Sequence, residues 1–110
     1  MEYGDLKITI LMRNKPKLLA NANISFNSSF GMVTIKGFQI WNSPSFNSRL
    51  QEAVNITPPS IQFRGTYVQQ VFFENKENWY EMERLIYSEF IKNGGRVSEE
   101  VNIDDIPENL

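Results

Sequence analysis

Asn75-Lys76-Glu77-Asn78-Trp79-Tyr80-Glu81-Met82-Glu83-Arg84-Leu85-Ile86-Tyr87-Ser88-Glu89-Phe90-Ile91-Lys92-Asn93-Gly94-Gly95 is the stretch that decides the fold. Trp79, Met82, Ile86 and Phe90 recur at i, i+3, i+7 and i+11, with Leu85 beside them, which is one apolar stripe along a helix. Glu77, Glu81, Glu83, Arg84, Glu89 and Lys92 are assigned to its wetter side. Asn78 with Glu81 three residues on has the spacing of a capping pair, and Asn75 is the alternative cap. Gly94 and Gly95 end the helix. A single striped helix needs an apolar surface to cover, so the rest of the chain should supply a sheet.

The residues before it read as strands. Leu6 to Met12 alternates with period two, placing Leu6, Ile8, Ile10 and Met12 on one side. The turn Arg13-Asn14-Lys15-Pro16-Lys17 breaks that run. Leu19 to Phe26 puts Ala20, Ala22, Ile24 and Phe26 on one face, and Asn27-Ser28-Ser29 turns the chain back. A third strand is expected over Phe30 to Trp41. Its apolar parity changes at Gly37, which predicts a β-bulge there. Asn42 to Arg49 reads as a mobile loop, and Leu50 to Ile56 as an irregular fourth strand. Pro58-Pro59 stops that strand, and Thr66 to Glu74 is the fifth.

The fold class that follows is α+β: a twisted antiparallel sheet of about five strands, followed by one C-terminal α-helix packed on it. Residues 1–95 form one domain and residues 96–110 a flexible acidic tail. The tail holds one base against five acids, a net of −4, while the other 95 residues hold ten bases against eight acids, a net of +2. A mildly basic body is thereby hidden inside an overall charge of −2.

Composition excludes several classes of chemistry. The chain has no cysteine and no histidine, which removes disulfides, thiolate nucleophiles, the usual general base and the commonest metal ligand. No Gly-rich phosphate loop follows a strand, and no calcium-loop spacing occurs among the carboxylates. The expectation is a protein that is not an enzyme, with no cofactor and no metal. Its polar N-terminus and lack of a spanning apolar run lead to a cytoplasmic location without membrane contact.

Taken in order, Leu6-Lys7-Ile8-Thr9, Leu19 to Phe26, Met32 to Trp41, Pro58-Pro59-Ser60 and Trp79 to Phe90 resemble the SpoVG family (stage V sporulation protein G, also called septation protein). The resemblance runs from about Leu6 to Phe90. It implies a homodimer that binds nucleic acid and acts in bacterial gene regulation, in the sphere of sporulation and septation. The family carries basic residues directly after its Pro-Ser. Here Ile61 and Gln62 follow, and Arg64 is the nearest charge.

The candidate nucleic-acid-binding residues are therefore Arg13, Lys15 and Lys17 in the first turn, with Arg49 and Arg64 flanking the Pro-Pro-Ser region. Lysine and arginine bind phosphates by releasing counterions, although short charged turns are also common on inert surfaces. Phe46 and Phe63 lie beside arginines and have two open uses, stacking on bases or tucking into the core edge; the second is expected for Phe63. Partners are expected to be a second copy of the chain, through sheet-edge or helix contacts, and DNA or RNA. The alternative is a protein-interaction module that keeps the fold without binding nucleic acid.

Overall fold

The computed structural model describes residues 4–13 and 15–96. Six strands and one helix follow in the order β1 (Lys7–Met12), β2 (Leu18–Ser28), β3 (Gly31–Asn47), β4 (Glu52–Thr57), β5 (Ser60–Phe63), β6 (Thr66–Gln69) and α1 (Lys76–Lys92). The fold is α+β, and β1 to β4 form one antiparallel sheet in sequence order. The tail expected over 96–110 lies outside the described residues apart from Arg96. No helix among the described residues is long and apolar enough to cross a membrane.

The expected fifth strand does not join this sheet. Its first four residues are β6, which pairs with β5 in a separate two-stranded hairpin. Arg64 and Gly65 form its turn with φ of 53° and 83°. Positive φ at both central residues is the type I′ geometry whose twist matches a two-residue hairpin. The two prolines end β4 as expected but do not forbid β5, because Ser60 resumes pairing immediately after Pro59. The third strand is also longer than expected. Its run continues through Pro44 to Asn47, and the ladder to β4 is interrupted between Asn42 and Asn47. A proline is tolerated there because the ladder asks for no donor at that point.

The bulge at Gly37 is present. Ile24 pairs with Ile35 and Ala22 with Phe38, so β3 carries one extra residue. Gly37 has φ of 103°, and a Cβ there would touch Pro59 at 3.4 Å. The bulge lets Ile35 face the core before it and Phe38 and Ile40 after it. A second register shift between Leu18 and Ala20 explains why Leu19 and Ala20 are both buried.

The core lies between the sheet and α1. Ala20, Ala22, Phe38, Ile40, Ile86 and Phe90 are all fully buried. Ile86 and Phe90 each contribute roughly 1.5–3 kcal/mol by leaving water. Trp79 stacks on Phe38 at 6.3 Å between ring centroids and meets Phe73 at 5.2 Å. Asn75, not Asn78, caps the helix: its Oδ1 accepts from the backbone N–H of Glu77 at 2.8 Å and of Asn78 at 3.2 Å. Glu81 bonds Arg84 instead of closing a capping box. At the other end Gly95 N donates to Phe90 O at 2.9 Å and Gly94 N to Ile91 O at 3.0 Å. That pair is the Schellman arrangement, with Gly94 in the left-handed region at φ 86°.

Candidate nucleic-acid interface

Arg13, Lys15 and Lys17 come together in the turn from β1 to β2, and all three are exposed. Backbone bonds tie its described residues to the neighbouring strands. Arg13 N donates to Leu19 O at 2.9 Å, Lys15 N to Leu18 O at 3.2 Å, and Asn42 N of β3 to Lys17 O at 2.8 Å. Among the described residues no carboxylate forms an ion pair with these three side chains.

The turn borders the sheet face that the helix leaves open. Strand alternation assigns that face, since Ile8, Ile10, Ala20, Ala22, Ile24, Phe38, Ile40, Val54 and Ile56 belong to the core. The opposite positions include Lys7, Thr9 and Leu11 on β1, Asn21, Asn23, Ser25 and Asn27 on β2, Met32, Thr34, Lys36, Gln39 and Trp41 on β3, and Ala53, Asn55 and Thr57 on β4, so two exposed apolar side chains, Leu11 and Met32, lie among the polar ones. Several of the polar side chains bond to one another across the strands. Ser25 Oγ and Thr34 Oγ1 are 2.8 Å apart, Trp41 Nε1 donates to Thr57 Oγ1 at 3.3 Å, and Arg13 Nε donates to Asn21 Oδ1. That last bond draws the Arg13 guanidinium onto the same face. No strand position on this face carries a carboxylate; Glu52 has the parity of Val54 and Ile56, which face α1.

Arg49 is placed differently. It lies in the β3–β4 turn, where Asn47 Oδ1 accepts from the backbone N–H of Arg49 at 3.0 Å and of Leu50 at 3.2 Å. Its guanidinium reaches α1 and makes two bonds to Glu83, Nε to Oε1 at 2.9 Å and Nη2 to Oε2 at 3.0 Å. It also covers the Tyr80 ring at 4.4 Å. Glu83 is only 1% exposed, so its assignment to the wet side of the helix is corrected. Asn47 Nδ2 adds a third donor at 3.3 Å. The Glu83 hydrogen bond is the main cause that raises the Arg49 pKa, against desolvation that lowers it, so Arg49 stays charged. The signal was present in the sequence: Glu83 is four residues after Trp79 and three before Ile86, inside the apolar stripe.

Arg64 sits at the hairpin tip with its guanidinium 5.2 Å from the Phe63 ring. Phe63 is 54% exposed, so it does not tuck into the core edge. Phe46 is exposed as well. Pairing places Ile61 opposite Val68 and Phe63 opposite Thr66, which makes one hairpin face apolar, and Ile61, Phe63 and Val68 are all exposed. A separate apolar recess of about 410 Å³, without a residue of β5 or β6 in its lining, is bounded by Leu6, Phe26, Ile35, Val71, Phe72 and Met82. The basic residues thus fall into three places: a free basic turn, a neutralised turn and a hairpin tip.

No family model, no curated protein and no solved structure matches the chain. The likeness to SpoVG rests on the residues quoted for it.

Proposed function

We propose that this chain is a small cytoplasmic, dimeric, SpoVG-like regulator that binds nucleic acid through the turn holding Arg13, Lys15 and Lys17. The observation that carries the reading is the exposure of these three cations on a hydrogen-bonded turn, without a carboxylate partner among the described residues. A cluster of this kind can meet phosphates, and the counterions it releases supply affinity. Arg49 takes no part, because Glu83 already matches its charge.

The test is binding of a fluorescent oligonucleotide at low and high salt. Replacing Arg13, Lys15 and Lys17 together by Gln should weaken binding uniformly across sequences. It should also flatten the slope of log K against log salt by roughly 0.7–0.9 for each lost phosphate contact. If no salt-sensitive binding occurs at protein concentrations well above ~100 μM, the weak end of the common range for non-specific complexes, the reading fails.

The uncovered apolar hairpin face favours a second reading, a protein-interaction module. Pull-down of a partner protein that survives the triple Gln substitution, with no oligonucleotide bound by the unmodified chain, would select it.

A further inference from the structure

We infer that the helix-free face of the β1–β4 sheet is the bed for a single-stranded nucleic acid, with Lys7, Arg13 and Lys36 holding phosphates and Trp41 lying against the bases. This deepens the nucleic-acid reading above and rests on it, but uses a surface beyond the basic turn.

Three features of the face converge. The first is charge. Lys7 on β1, Arg13 at its end and Lys36 on β3 are all exposed, and no strand position on the face bears a carboxylate. The carboxylates of α1, by contrast, lie on the other side of the sheet, where the helix packs. The chain therefore presents a positive face, and a polyanion is the complementary partner.

The second is hydrogen bonding. Asn23, Gln39 and Asn55 carry amides with donors and an acceptor for base edges, while the Asn21 amide is already held by Arg13 and by Phe38 O. Double-stranded nucleic acid hides its Watson–Crick edges; a single strand exposes them. A sheet with strands about 4.8 Å apart sets Lys7 and Lys36, two strands from one another, roughly 10 Å apart across the strand direction. That is a broad platform, not a ridge that enters a groove.

The third is the ring. Trp41 is half-buried on this face, in β3, and its Nε1 is committed to Thr57 Oγ1. That bond fixes the indole in place. Stacking of a base on an aromatic ring is worth roughly 1–3 kcal/mol and tolerates any sequence.

The chain contains two tryptophans, and the other, Trp79, packs between Phe38 and Phe73 on the helix side. Trp41 emission can therefore be read alone in a Trp79→Phe protein whose urea midpoint confirms folding. Titration with a 12-residue oligo-dT or oligo-rU should quench Trp41 saturably, and a 12-base-pair duplex should bind more weakly without that quench. Lys7→Gln with Lys36→Gln should weaken oligo-dT binding about 10–30-fold near 0.1 M salt and lower the salt slope by roughly 1.4, as expected for two single-strand phosphate contacts.

Unchanged affinity in the Lys7/Lys36 double variant, with loss in the Arg13/Lys15/Lys17 variant, would overturn the sheet-face site and leave the proposed function standing. Equal binding of duplex would also overturn it, and so would equal displacement of the oligonucleotide by poly-glutamate, which has charge but no bases. Absence of binding to single strand and duplex alike by unmodified protein would remove both readings together.

Discussion

Glu83 shows how much one residue can escape a periodic reading. A carboxylate inside the apolar stripe could be explained either by an accident of surface or by a buried partner, and only the turn at Arg49 decides. Two guanidinium bonds and one from Asn47 join the β3–β4 turn to α1. Removing Arg49 leaves a nearly inaccessible carboxylate without its cation. Arg49→Ala is therefore expected to cost about 1–3 kcal/mol in urea unfolding, held below the cost for a fully buried pair because Arg49 itself is 45% exposed. Glu83→Leu should cost less than Arg49→Ala, since it removes the buried charge together with its need for a partner. A cycle with both changes should show coupling; independent, additive effects would mean the pair does not hold the turn. The raised pKa of Arg49 also has a defined sign. Its contribution is fully present below the ordinary guanidinium range and is lost only as pH rises above it, so titration of Arg49 gives no stability change between pH 5 and 9.

At the scale of elements, the helix and the bulge were legible because each leaves a local mark. A stripe with period 3.6 and a parity slip at a glycine survive without any knowledge of tertiary contacts. The hairpin β5–β6 was half legible. Tyr67-Val68-Gln69 alternates, but the prolines concealed Ser60-Ile61-Gln62-Phe63, and the Arg64-Gly65 turn went unread. Its partner choice was invisible, because nothing local says whether a strand joins the main sheet or pairs only with its neighbour. A two-stranded ribbon is marginal by itself, and this one exposes Ile61, Phe63 and Val68 together. A second copy related by a two-fold axis would cover that face with its own. If the chain is the proposed dimer and this face joins its copies, Phe63→Ser with Val68→Ser should shift sedimentation from dimer to monomer while leaving the far-ultraviolet helix signal intact. A dimer that persists with unchanged affinity would place self-association elsewhere.

Across the whole molecule, charge is sorted by location. The described body is basic on the open sheet face and mixed along the helix, and the last fourteen residues carry five acids and no base. Without residues 97–110 the net charge changes from −2 to +3. Deleting them should raise oligonucleotide affinity several-fold at low salt and have a vanishing effect near 1 M, where the Debye length is about 3 Å. A loss of affinity on deletion would mean that those residues contribute contacts rather than repulsion. Sequence reading found the basic turn, whose three cations alternate within five positions, but not the open face. That face draws its members from four strands, and only their register brings Lys7, Asn23 and Lys36 into one layer.

The extra residue in β3 also separates what can drift from what cannot. Turns such as Ser28 to Gly31 can lengthen or shorten with only local effect, since the strands on either side keep their parity. Losing Lys36 or Gly37 would delete the bulge and leave Ile35 and Phe38 two apart, as in an unbroken strand, so Phe38 and Ile40 would keep the core side. What would turn half the sheet inside out is straightening that stretch with all its residues kept, since an odd step in an unbroken strand sends Phe38 and Ile40 to solvent and Gln39 and Trp41 against the helix.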